Sequence, residues 1–180
     1  MAKLSCIGWL KLLLFLAAVG LVALLATAPK GGGTAGSFAL DKAMERELAR
    51  QARAAFVREL YAPVTELRAA GQPQQALLKL EELARAYPGD PFGLVLRAEI
   101  LRELGRLDQA VGYYAQALRL NSEFLDEQGP FSRRTEIRQL VEEGLTTLLP
   151  RFQTHPDNRS LAMTVKEVYY LQSRLAGGCE

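Results

Sequence analysis

The stretch from Val57 to Ser122 carries the same pattern twice, offset by 34 residues. Gly71 recurs as Gly105, Ala76 as Ala110, and the bulky apolar residue four places on is Leu80 in one copy and Tyr114 in the other. Pro88 closes the first copy and is followed by Gly89-Asp90-Pro91. A period of roughly 20–50 residues marks folds built by stacking one supersecondary unit on the next, since a single unit cannot bury its own apolar face.

Each copy reads as helix, tight turn, helix. Leu94, Ala98, Leu101 and Leu104 recur at spacings of three and four, which places them on one helical face. Gly105 then ends the helix as a residue that takes positive φ at little cost. The next helix starts near Leu107-Asp108 and buries Ala110, Val111, Tyr114, Ala117 and Leu118. In the first copy Leu60, Val64 and Leu67 precede Ala69-Ala70-Gly71, Pro73 opens the second helix, and Ala76, Leu80, Leu83 and Ala84 form its stripe. Small residues at positions 76 and 110 predict close helix crossings, with the bulky residue four places later filling the neighbouring groove.

This pattern resembles the tetratricopeptide repeat (TPR) family, whose motif W-x2-L-G-x2-Y…A-x3-F…P spans about 34 residues. The second half of the motif stands as Ala76-x3-Leu80…Pro88 and as Ala110-x3-Tyr114…Ser122, with Ala117 on the same face. The first half is held by Leu60, Pro63-Val64 and Leu67 in one copy and by Leu94, Arg97-Ala98 and Leu101 in the other. The tryptophan is missing from both copies and the closing proline from the second. The resemblance covers residues 57–122 of 180. It implies an all-α, TPR-like α-solenoid, with repeats at about 57–90 and 91–124 and flanking capping helices. It also implies a groove lined by the first helix of each pair. On this chain those positions are Arg58, Tyr61, Thr65, Arg68, Phe92, Val95, Glu99 and Arg102. Tyr61 and Phe92 would serve as apolar anchors, and Arg58, Arg68 and Arg102 as forks for carboxylates. The lysine/asparagine clamp that some family members close on a peptide C-terminus has no counterpart here. The alternative is that two repeats form only a small groove and these side chains contact the flanking helices.

The rest of the chain is arranged around this core. Residues 1–11 are short and weakly basic, and residues 12–28 are free of charge. As a helix, that run reaches about 25 Å, close to the minimum for a bilayer core. It reads as a signal anchor with Lys3 and Lys11 in the cytoplasm, Trp9 near the interface, and the body outside. The competing reading is a signal peptide cleaved after Ala26-Thr27-Ala28; the length of the apolar run and Pro29 beyond the cut favour the anchor. Residues 29–37, with Gly31, Gly32, Gly33 and Gly36, read as a flexible tether. Leu40–Tyr61 reads as an amphipathic helix with a stripe of Leu40, Met44, Leu48, Ala52, Ala55, Phe56 and Leu60, and with Asp41 in its first turn. Pro63 should kink or end it. The stripe either caps the first repeat or makes a partner or dimer contact.

Beyond the repeats, Gly129-Pro130 breaks the first helix of a third copy. Its second helix persists, with Gly144 at the small slot, Leu148 at the bulky slot and Pro156 at the closing position. Two capping helices are expected, at 132–153 with Ser132 as N-cap and a kink at Pro150, and at 157–176 with Asp157 or Asn158 as N-cap. The second carries Leu161, Val165, Val168, Leu171 and Leu175 on one face and would seal the open apolar end of the stack.

No motif reads as catalytic, and no cofactor or metal is implied. The chain has one histidine, His155, in a turn before proline, which offers no partner for a triad or metal site. Its two cysteines, Cys6 and Cys179, form no redox or zinc spacing; under the anchor reading Cys179 is a candidate for an intermolecular disulfide outside the cell, the alternative being a free thiol in the tail. Three of the 22 basic residues (Lys3, Lys11 and Lys30) precede position 40, where no acidic residue lies, so 19 basic face 20 acidic residues in the body. That balance gives no electrostatic footprint for nucleic acid. Arginine far outnumbers lysine, and alanine and leucine abound, the composition of a GC-rich bacterial genome. The expectation is a non-enzymatic, membrane-anchored TPR module, a scaffold or assembly factor holding a protein partner at the outer face of a bacterial inner membrane. Self-association as a structural membrane protein, and a secreted binding domain, are the alternatives.

Overall fold

The computed structural model describes the backbone of residues 34–177 and the side chains of residues 41–177. The described residues are helical, with no strand: α1 Thr34–Ala69, α2 Pro73–Ala86, α3 Pro91–Glu103, α4 Leu107–Leu120, a 3-10 turn at Ser122–Leu125, α5 Arg134–Thr154 and α6 Arg159–Leu175. The all-α class expected from the periodicity is therefore observed. The anchor at 12–28, its cleavage alternative, the cytoplasmic segment, linker residues 29–33, Cys6 and Cys179 lie outside the described residues. Among the described residues no helix is long and apolar enough to cross a membrane. The chain divides into two compact units, Met1–Leu48 and Ala49–Glu180. In the first, the described residues belong to the start of α1, and Met44 and Leu48 are exposed. The second holds both repeats and the helices after them.

The two copies close their hairpins in the same way. Gly71 and Gly105 adopt φ of +71° and +73°. The N–H of Gly71 donates to Arg68 O and that of Gln72 to Leu67 O; 34 residues on, Gly105 donates to Arg102 O and Arg106 to Leu101 O, all at 2.8–3.0 Å. These paired bonds satisfy the last carbonyls of α1 and α3 and require the left-handed residue between them. Pro73 and Pro91 then open α2 and α3 at a position that needs no N–H. Asp90 caps α3, its carboxylate accepting the Gly93 N–H at 3.0 Å.

The slots read from the period are core. Ala76 and Ala110 are fully buried, Leu80, Tyr114 and Leu148 nearly so, and Gly144 is buried as well. α3 packs on α2 and α4, α4 also meets α5 and α6, and α5 pairs with α6. α5 and α6 approach closely at Gly144, where an added Cβ would stand 2.7 Å from Val168 Cγ2. Asn158 caps α6 by accepting the Leu161 N–H at 3.1 Å, and Leu161, Val165, Val168 and Leu171 are buried.

Several expectations need correction. α1 begins at Thr34, so Thr34–Ser37 are helical and do not belong to a tether, and Asp41 is not in the first turn. The helix runs through Pro63 to Ala69; Pro63 and Glu59, whose carbonyl loses its donor, both lie on the exposed side, where water can replace the missing bond. α5 contains Pro150 and extends to Thr154, one residue past the expected end at 153. The apolar stripe of α1 is not the buried one: Met44, Leu48, Ala52, Ala55 and Phe56 are exposed, and Ala54, Val57, Tyr61 and Val64 are buried. A series spaced by four drifts about 40° per step around a helix of 3.6 residues per turn, whereas spacings of three, four and three hold one face. Ala84 is exposed. Ser132 is not the cap of α5; Arg133 holds that position without a side-chain cap bond.

The tight crossing gives a direct test. Gly144→Val should lower stability by about 2–3 kcal/mol, because the added methyls overlap a β-branched neighbour that cannot swing away. Val168→Ala in the same chain should recover part of the loss by making room. Thermal melting of the three proteins checks this, and an unchanged melting temperature in the single variant contradicts the crossing.

Candidate functional site

The sequence placed Tyr61, Phe92 and Val95 on an open groove. They are instead packing residues. Val95 is fully buried and Tyr61 nearly so. The Tyr61 hydroxyl donates to Asp90 Oδ2 at 2.7 Å, so the carboxylate that caps α3 also ties α3 to α1. Gly93 makes room for this contact, since a Cβ there would lie 2.7 Å from the phenol oxygen. Phe92 is half-buried between Tyr61 (ring centroids 5.3 Å apart) and Phe131 (5.4 Å, edge to face). That aromatic row joins α1, α3 and the connector before α5. Arg58 and Thr65 are exposed and take no part in the cavity that the other groove positions line.

Arg68, Glu99 and Arg102, the remaining groove positions, do come together. With Glu103, Tyr114, Arg133 and Glu136 they line a cavity of about 500 Å3. At its centre is Glu99, 8 % exposed. Its Oε1 accepts from Arg133 Nε at 2.7 Å, and its Oε2 accepts from Arg68 Nη1. Arg68 also donates through Nε to Glu103 Oε1 at 2.6 Å. Arg133 is oriented by a second bond, Nη1 to Ser132 O at 2.8 Å, and lies 5.7 Å from the Phe92 ring centre. Arg102 forks onto Glu143, with Nε 3.0 Å from Oε2 and Nη2 on Oε1. One carboxylate thus joins the end of α1 to the start of α5 through α3.

The electrostatics follow from this pairing. Burial works against the Arg68 charge, but its hydrogen bond to Glu103 and the Glu99 carboxylate more than offset that, so the guanidinium is held above its ordinary pKa. The bond from Glu143 does the same for Arg102. Burial pushes the Tyr114 phenol well up, with Glu99 adding to the effect; Tyr61 is raised by burial and by its bond to Asp90. Both phenols therefore stay protonated through the physiological range.

Arg133 and Glu136 were not expected at the site, yet the period points to them. Arg68, Arg102 and Glu136 are successive members of one 34-residue series, as are Thr65, Glu99 and Arg133. The register carries into a third copy although Gly129-Pro130 replaces its first helix. Gln139 stands where Gly71 and Gly105 stand, and without a left-handed residue there α5 continues past it.

Among the described residues no His, Cys, Asp and Glu side chains gather as a metal site. His155 is exposed, its Nδ1 2.9 Å from Thr154 Oγ1. No protein-family model, no curated protein and no solved structure matches the chain.

Two measurements probe the network. Glu99→Ala should cost about 2–3 kcal/mol, less than the 3–5 typical of breaking a fully buried pair, because Arg68 and Arg133 stay partly solvated. Urea unfolding reads this, and a loss below 0.5 kcal/mol, the usual range for surface positions, contradicts it. Tyr61 and Tyr114 have folded pKa values above the unfolded value, so their contribution is full below about pH 10 and is lost as pH rises beyond it. Stability should fall above that pH, and Tyr114→Phe should flatten the decline. An identical alkaline profile in the variant argues against a buried phenol.

Proposed function

We propose that this chain is a TPR-like protein-interaction module, carried by an N-terminal membrane anchor at the outer face of a bacterial inner membrane, which holds a segment of a partner protein in the cleft around Glu99. The observation that carries this reading is the pair of hairpins closed by the same turn hydrogen bonds at a 34-residue offset. Their first helices place Arg68, Glu99 and Arg102 on one cavity of about 500 Å3. That volume falls in the roughly 300–1,000 Å3 range of ligand sites. The anchor rests on the uncharged run at 12–28. The role is one of binding, as scaffold or assembly factor; no residue set in the cleft pairs a nucleophile with a base.

A second reading, self-association, draws on the exposed apolar side chains of α1, with Met44 64 %, Leu48 60 % and Phe56 55 % exposed. Sedimentation of the detergent-solubilised chain as a monomer at micromolar concentration removes it.

Site-specific photocrosslinking in native membranes tests the first reading. A crosslinker at Glu103 or Gln139, on the cleft rim, should yield a defined heterologous adduct that Arg102→Glu abolishes. One at Leu78 or Lys166, exposed positions outside the cavity lining, should not. Adducts of equal yield from rim and distant positions, or none from the rim, contradict the module.

A further inference from the structure

The lining of the cleft carries no net charge. Arg68, Arg102 and Arg133 stand against Glu99, Glu103 and Glu136. Arg68 and Arg133 share Glu99, Arg68 also holds Glu103, and Arg102 is anchored on Glu143, outside the lining. A guest of either sign therefore meets no surplus counter-charge. To be paired, it must draw a partner out of an existing ion pair and leave the other member unsatisfied, which is costly where water is partly excluded.

Hydrogen-bonding capacity is nevertheless left over on both sides. Arg133 donates through Nε and Nη1, and Arg102 through Nε and Nη2. Nη2 of the first and Nη1 of the second thus have no acceptor among the described residues. Both are open to solvent, since the buried side-chain nitrogen left without a hydrogen bond is Arg134 Nε. Glu136 supplies the matching acceptor. Its charge acts on Arg102 across the cavity, yet no hydrogen bond or ion pair joins the two. A donor and a carboxylate therefore share one wall, coupled through space, with a gap between them.

A carboxamide fits this arrangement. Its oxygen accepts from a guanidinium N–H, its NH2 group donates to a carboxylate, and it brings no charge that must be paired. Every existing ion pair of the wall is kept. We infer that the cleft receives an asparagine or glutamine side chain from a segment of a partner protein, its amide bridging Arg102 Nη1 and the Glu136 carboxylate. This rests on the interaction-module reading and sets a neutral guest against the expectation that Arg68 and Arg102 recruit a carboxylate.

The test uses the purified full chain and four capped, fluorescently labelled peptides in which alanine alternates with glutamine, methionine, lysine or glutamate, compared by anisotropy. The glutamine peptide should bind about tenfold or more tightly than the methionine peptide, which has similar length and no amide, on the scale of a hydrogen bond to a charged group. It should also bind more tightly than either charged peptide, and its affinity should change less than about twofold from low to high salt, since no net charge is screened. Glu136→Gln breaks no ion pair, so the fold is kept, which thermal melting checks. It should weaken the glutamine peptide several-fold and strengthen the glutamate peptide, because the lining then carries a surplus guanidinium. Equal binding of the methionine peptide, tighter binding of either charged peptide, no binding of the glutamine peptide, or an unchanged preference in Glu136→Gln overturns the inference. Any of these outcomes alongside a rim-specific crosslink leaves the module standing and removes only the amide guest. Selective glutamine binding without a rim crosslink removes the cellular partner and keeps the site chemistry.

Discussion

The cleft depends on one nearly buried carboxylate. Glu99 accepts a guanidinium from the end of α1 and another from the residue before α5, and so joins three segments that the chain brings together across 31 and 34 residues. Removing two charges from water costs several kcal/mol per ion, and such pairs often contribute little net stability. Their consequence here is geometric. Arg68 and Arg133 are fixed in place on the wall of the cavity by the carboxylate they share.

Glu99 can serve this way because the hairpins around it are built alike. A left-handed glycine at 71 and at 105 closes each hairpin at the same point, which places Arg68 and Arg102 at equivalent positions, each supplying a carbonyl to its own turn. Small residues at 76, 110 and 144 set the approach of neighbouring helices, and the bulky residues four places on fill the space between. The Tyr61–Asp90–Gly93 contact adds a stitch between α1 and α3 that doubles as a helix cap. The chain thus uses a few backbone constraints twice, and the cavity inherits its wall from their repetition.

The features legible in the sequence were those fixed by local chemistry: the glycine turns, the prolines that open helices, Asn158 as a cap, and the periodic core of α2 to α6. The apolar face of α1 was misread because large side chains at a spacing of four looked like a stripe, while the buried line runs through the small Ala54 and on to Val57, Tyr61 and Val64. At the site, Arg68, Glu99 and Arg102 were among the positions that the repeat resemblance implied for a groove, and they line one cavity. Tyr61 and Val95 were not separable from them, because the same register positions face either the cleft or the neighbouring helix, depending on where the flanking segments lie. Arg133 and Glu136 lie in the helix expected at 132–153, but that helix was read only as a cap, because the break at Gly129-Pro130 hid the register that continues from Arg68 and Arg102. Which arginines are already paired is a fact of three dimensions that the register does not carry.

The most direct measurement concerns the Nε–H proton of Arg133, followed by nitrogen-15 NMR at neutral pH. Held on Glu99 Oε1 at 2.7 Å, it should give a resolved, slowly exchanging resonance that moves into the solvent-exposed arginine envelope in Glu99→Gln. A resonance in the intact protein that exchanges as fast as that of exposed Arg106 would contradict the claim that one carboxylate locks the cleft.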